Sequence, residues 1–169
     1  MILLLRHLFA IAVLPFSVVV LVPVWIAGRY HVAFALGHST GPVLMQALGL
    51  GLLIAGLVLF VASVWRFAAE GKGTLAPWDP PRVFVARGPY RFVRNPMISG
   101  VIILLIGEAS VLMSPAHFVW AAAFIALNLV YIPLVEEPQL ERRFGDPYRD
   151  YCRHVRRFTP RLSPWRPAP

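Results

Sequence analysis

The chain has 169 residues, of which 58% are hydrophobic and only 14% charged, and its mean hydropathy is positive. That balance excludes an ordinary soluble domain and indicates an integral membrane protein. The net charge of +8 reports orientation and lipid headgroup contact in such a protein, not nucleic-acid binding, and the lone Cys152 excludes an internal disulfide framework or a zinc-type cluster.

One membrane domain over residues 1–169 is expected. The first apolar run, 8–27, is long enough for a bilayer about 30 Å thick. Arg6 and His7 precede it as they would in a signal peptide, but Pro15, Pro23 and the absence of a clear small-residue cleavage site favour a retained span. The second span is 43–65, where Gly49, Gly51 and Gly56 allow a neighbouring helix to approach closely.

Residues 66–95 change character: Arg66, Lys72, Arg82, Arg87, Arg91 and Arg94 alternate with breakers at Gly71, Gly73, Pro77, Pro80 and Pro81. A connection of that length is usually functional or disordered. Its end, 82–100, organises the chain. Gly88-Pro89 marks a turn, and Asn95-Pro96 marks a helix start, with Asn at the N-cap and Pro at the first helical position. Backbone N–H groups and the positive dipole end of such a helix attract an anion.

The third span, 96–113, returns through Ser114-Pro115 into the fourth, 117–135, forming a tight hairpin. Lysine and arginine number six in 66–95 and eight after Glu137, against one at the N-terminus, one in the 28–42 loop and none in the 114–116 turn. The positive-inside rule then places both termini and the 66–95 loop in the cytoplasm. The fold expected is an all-α integral membrane protein of four transmembrane helices with a cytoplasmic tail over 138–169. In that tail PQLERRF forms a short helix stopped by Gly145, and Asp146-Pro147, as N-cap and first helical residue, starts another. On the second helix Tyr148, Tyr151, Cys152 and Val155 share a face, while Arg149, Arg153, Arg156 and Arg157 lie mostly elsewhere. This amphipathic basic helix suits the cytoplasmic membrane surface and the cover of a site at its rim.

Glu136 and Glu137 are the sharpest chemical feature. Two carboxylates at the negative end of a helix dipole call for a cation: either Arg142, Arg143 or the 82–94 arginines, or a cationic ligand. Glu108, about 18 Å into the third helix, is either a functional intramembrane acid or a carboxyl bonded within the bundle or reaching the far interface. Tyr90, Met97, Tyr148 and Tyr151 supply packing or stacking walls for a nucleobase. His31, His38, His117 and His154 have no metal-site spacing, and no nucleophile–base pair, phosphate loop or dinucleotide fingerprint appears.

Taken together, these residues resemble the isoprenylcysteine carboxyl methyltransferase and phospholipid methyltransferase superfamily. The resemblance runs from about Arg82 to Pro160. It rests on Gly88-Pro89-Tyr90-Arg91, Arg94-Asn95-Pro96-Met97 with Gly100, Glu136-Glu137 with Leu140, Phe144-Gly145, Tyr148, Tyr151 and the run Val155 to Pro160. It implies a cytoplasm-facing enzyme that binds S-adenosylmethionine through Arg82, Val83, Phe84, Val85, Tyr90, Asn95, Pro96, Met97, Ile98 and Glu136. Catalytic parts are expected for Glu136, which would hold the cofactor's cation, Asn95 at the helix mouth and Arg94 as an anion anchor; no metal is expected. The chain departs from the family at Asn95, where His is common, and at Ile98, where Tyr is common. Asn caps a helix but does not titrate near neutrality. The stretch from Asn128 to Val135 also lacks the arginine that helps prenylcysteine enzymes hold the acceptor carboxylate.

The function expected is methyl transfer to a lipophilic small molecule or lipid entering from the bilayer. The site would be in a bacterial inner membrane, as arginine-rich, lysine-poor usage suggests. Two alternatives remain open at this point. One is an NADPH-dependent reductase of the sterol-reductase type, with the 82–94 arginines taking the 2′-phosphate. The other is a non-catalytic membrane module that retains the fold.

Overall fold

The computed structural model describes residues 15–70 and 83–166, and every regular element among them is helical. Helix α1 (Ser17–Arg29) opens with a π-turn over Ser17–Leu21. Its cause is Pro23: without an N–H it cannot make the usual bond one turn back, and the ladder widens so that the Val22 N–H reaches Ser17 O. Residues 8–14 of the expected first span lie outside the described residues; the rest of that run is helical.

Helix α2 (Thr40–Glu70) extends beyond 43–65 at both ends, and its last turn carries an Arg66–Glu70 pair at 3.3 Å. Helix α3 (Pro96–Leu112) ends at Met113 in the left-handed conformation, φ 48°. Ser114 then accepts the His117 N–H and starts α4 (Pro115–Tyr131), giving the expected hairpin. A second π-turn, Ile132–Glu136, contains Pro133 and continues without a break into α5 (Glu137–Phe144). Helix α6 (Asp146–His154) corrects one expectation. Its N-cap is Gly145, at φ +62°, and Asp146 is already helical. Glycine takes this cap because the backbone there turns into a region that side chains avoid.

Two helices, Thr40–Glu70 and the continuous Pro115–Phe144, are long and apolar enough to cross a membrane, while Ser17–Arg29 and Pro96–Leu112 are shorter apolar helices. Helices α2 and α3 pack through paired glycines spaced seven residues apart. A methyl group on Gly49 would lie 2.9 Å from Gly107 O, and one on Gly56 would lie 2.9 Å from Gly100 O; Gly100 and Gly107 meet α2 just as closely. With no hydrophobic drive between lipid-bathed helices, such backbone approach is what dispersion attraction needs. Gly51, grouped with these from the sequence, faces open space instead. On the other side α1 is pinned to α4, where His117 Nε2 contacts Pro23 O at 3.2 Å and Trp120 Nε1 donates to Val18 O at 3.1 Å.

A side chain at Gly56 would press on backbone atoms of α3 that cannot move aside. Gly56→Val is therefore expected to destabilise the detergent-solubilised protein by about 1–3 kcal/mol, the range for overpacking. Gly51→Val is expected to leave the thermal unfolding midpoint close to that of the parent.

Candidate functional site

Where α3 begins and α4 passes into α5, the helices and the tail enclose a cavity of about 1050 Å³. It has two halves. One is polar and lies at the helix ends, with Tyr90, Arg94, Asn95 and Glu136. The other runs between the apolar helices, where Val18, Phe60, Val101, Phe124 and Leu127 form the walls. A volume of this size stands at the upper end of small-molecule sites.

The adjacent acids have separated duties. Glu137 Oε1 accepts from Arg94 Nη1 at 2.8 Å and from Arg157 Nε at 2.7 Å, and its Oε2 accepts from Arg157 Nη2 at 2.6 Å. Among the described residues, Arg94 is the cation considered from the sequence that takes part; Arg157 is the unforeseen partner. The bond to Glu137 raises the Arg157 pKa and keeps its guanidinium charged. Glu136 lines the cavity and has no hydrogen bond or ion pair among the described residues. Adjacent residues of a helix point about 100° apart, so the two carboxylates take different faces.

At the start of α3, Asn95 is the N-cap residue as expected, but its side chain makes no cap bond. Its Nδ2 donates instead to Arg157 O at 3.4 Å. Among the described residues the backbone N–H groups of Met97 and Ile98 are consequently left without partners, and both residues line the cavity. Arg94 stands beside them. Its Nη1 is taken by Glu137 and by Cys152 Sγ at 3.0 Å, whereas its buried Nε has no partner. The mouth of α3 thus presents open donors to an anion while Glu136 offers an acceptor to a cation. Burial first, and then the Glu136 carboxyl, raise the Tyr90 pKa, so its phenol stays protonated as a neutral donor.

The tail is strapped along the segment leading into α3. Backbone bonds join Arg94 N to Arg156 O at 2.9 Å, Arg161 N to Phe92 O at 2.9 Å and Trp165 N to Arg91 O at 2.9 Å. Beneath them Phe84 meets Tyr148, Tyr151 and Phe144 with ring centroids 5.8, 5.1 and 5.6 Å away, and Trp165 stands 5.3 Å from Tyr151. The Tyr151 hydroxyl donates to Tyr90 O at 2.6 Å, fixing the backbone of the loop that carries Tyr90. Trp165 escaped notice in the sequence; an aromatic residue beyond the last helix, between prolines, was the available signal.

Of the residues expected at a site, Val83, Phe84, Val85, Tyr90, Arg94, Asn95, Met97, Ile98 and Glu136 all line the one cavity. Pro96 is buried beneath it as the first residue of α3, and Arg82 lies outside the described residues. Glu108 is elsewhere: it does not line the cavity, and its Oε2 is buried without a partner among the described residues. No group of three His, Cys, Asp or Glu among the described residues is arranged to hold a metal.

Arg94 and Glu137 are only 13% and 15% exposed, so removing one charge strands the other. Glu137→Gln is expected to cost about 3–5 kcal/mol in chemical denaturation, the usual penalty for breaking a buried pair. Arg149, whose partners Glu141 and Asp146 are solvent-exposed, is a control, and Arg149→Ala should leave the transition unchanged.

A sequence model of the phospholipid methyltransferase family matches residues 44–147. No curated protein and no solved structure matches the chain. The family match covers well over half of the chain and takes in α2, the mouth of α3, the α3–α4 hairpin and the paired acids. This membrane protein belongs to the phospholipid methyltransferase family.

Proposed function

We propose that the chain is an S-adenosylmethionine-dependent methyltransferase acting on a lipophilic acceptor that reaches the cavity from the bilayer. The single observation that carries this reading is Glu136: a carboxyl at the polar end of the cavity, unpaired among the described residues beside a neighbour that holds two arginines. The residues suit the cofactor's chemistry. Glu136 matches its ammonium or sulfonium, the open N–H groups of Met97 and Ile98 match its carboxylate, and Tyr90 with the Phe84 and Tyr148 rings matches adenine. When bound, S-adenosylmethionine supplies an electrophilic methyl group whose leaving group is a neutral thioether. The protein's task is then to align two reactants and exclude water, effects worth about 7–11 kcal/mol in intramolecular analogues.

The apolar half of the cavity suits the chain of a lipid-like acceptor. Four membrane spans, near 8–27, 43–65, 96–113 and 117–135, with both termini and the 66–95 loop on the cytoplasmic side of a bacterial inner membrane, place the polar half where a water-soluble cofactor arrives. The arginine distribution supports this orientation, as does the basic exterior of α6, where Arg149 and Arg153 are exposed.

Titrating the solubilised protein with labelled S-adenosylmethionine tests the assignment. Saturable binding is expected, with Glu136→Ala weakening it about tenfold or more, as loss of a charged hydrogen-bonding partner does, and with Glu141→Ala, on the exposed face of α5, leaving it unchanged. Unaltered affinity in Glu136→Ala removes the acid from the site, and saturable binding of NADPH alone would overturn the reading. For topology, a cytoplasm-dependent fluorescent reporter fused after Pro169 is expected to be active, and a periplasm-dependent phosphatase at the same point inactive.

A further inference from the structure

The end of the bundle away from the cavity carries an exposed apolar segment that methyl transfer does not use. Helix α1 gives way at Tyr30. There His31 takes a positive φ of 52°, and the Val32 N–H reaches back to Ala27 O at 2.9 Å. This is a helix-terminating turn that redirects the chain toward α2. Residues 33–36 follow, all of them exposed, with Phe34 at 58% and Leu36 at 70%.

The segment is held in place by one side chain. Gly37 N donates to Gln46 Oε1 at 3.0 Å, while Gln46 Nε2 donates to Ala35 O at 2.7 Å and to Val111 O at 3.2 Å. The Gln46 amide thus uses its acceptor and its donors to tie the segment to α2 and to the last turn of α3. A methyl group on Gly37 would lie 2.5 Å from Pro42 Cβ, so the chain rests against the first turn of α2 and does not arch away from it.

Charge and length indicate what covers this surface. No Lys, Arg, Asp or Glu occurs between Arg29 and Arg66, nor in the 113–116 turn at the same end. Helix α3 has 17 residues, about 25 Å at 1.5 Å per residue, against a hydrocarbon layer about 30 Å thick. An apolar segment lying over the helix ends makes up that shortfall. Its depth is bounded from the other side. Among the described residues the backbone N–H groups of Ala33, Phe34, Ala35 and Leu36 have no partner, and such groups are not tolerated in the hydrocarbon itself. The backbone therefore stays at headgroup level, where water meets it, and only side chains reach inward. Trp25 and Tyr30, both exposed at this end of α1, are the ring types that favour that level.

We infer that residues 30–37 form an interfacial anchor, with Phe34 and Leu36 inserted among the acyl chains of the leaflet opposite the cavity. The partner is lipid, and the Gln46 amide sets the depth. The anchor lies beyond the methyl-transfer reading and stands or falls without it.

The test uses the full-length chain with Cys152→Ser, which keeps an acceptor for Arg94. A nitroxide is attached at Phe34→Cys or Leu36→Cys, and the protein is placed in phosphatidylcholine nanodiscs. References are Val58→Cys on the exposed apolar face of α2 and Asp146→Cys, whose parent side chain is 90% exposed. Collision with oxygen, which concentrates in the bilayer, is compared with collision with a water-soluble nickel chelate. The oxygen-to-nickel ratio at 34 and 36 is expected to lie well above that at 146 and close to that at 58. Adding Gln46→Leu should lower the ratio at 36 toward the value at 146. Ratios at 34 and 36 equal to that at 146 put the segment in water and overturn the inference. Shielding from both reagents overturns it too, because a second copy or another protein then covers the surface. A ratio at 36 that Gln46→Leu leaves unchanged overturns the assignment of depth to the Gln46 amide.

Discussion

The site depends on one buried ion cluster, in which the Glu137 carboxylate is gripped by Arg94 and Arg157. Glu137 opens α5, Arg94 precedes α3 and Arg157 belongs to the tail. A single carboxylate therefore ties together three parts of the chain that are distant in sequence. The desolvation cost of such a cluster is offset by good geometry, and here three short bonds meet the Glu137 carboxylate. Arg94 and Glu137 are largely shielded from water, which makes the cluster a restraint on geometry more than an exposed ornament.

That restraint decides what the neighbouring residues are free to do. Because Arg157 brings the tail against the start of α3, its backbone carbonyl meets the Asn95 side chain and draws it away from the cap it would otherwise make. The first N–H groups of α3 are left open as a result. Because Glu137 takes Arg94 and Arg157, Glu136 is left without a cation among the described residues at the edge of the same cavity. The open donors and the unpaired acid are two consequences of one cluster, and their juxtaposition gives the cavity complementary poles.

Proline supplies the second constraint. Pro23 and Pro133 each remove a helix donor, and at each the ladder widens into a π-turn without ending the helix. At Pro133 the helix carries on from the membrane-side segment into α5, so both acids stay on one continuous helix. Glycine supplies the third: the Gly49–Gly107 and Gly56–Gly100 approaches bring α2 against α3, and α3 carries the mouth of the site. The rigid helix pair thus holds the polar half still, while the apolar half lies toward α1 and α4.

Much was legible in the residues themselves. Apolar runs located the helices, Ser114-Pro115 the hairpin, Asn95-Pro96 the start of α3, and helical spacing the buried face of Tyr148, Tyr151 and Val155, because each is governed by interactions within a few residues along the chain. The need for a cation at the paired acids was equally readable, since the helix dipole and like charge are local. Which acid would be paired, that Arg157 would do the pairing, that Asn95 would bond to the tail and not cap its own helix, and that Gly51 would face away from the seam were all decided by the tertiary structure. Those outcomes turn on which of several arginines, donors or faces arrives within about 3 Å, and that distance is set by helices packing across the fold, not by the order of residues along it.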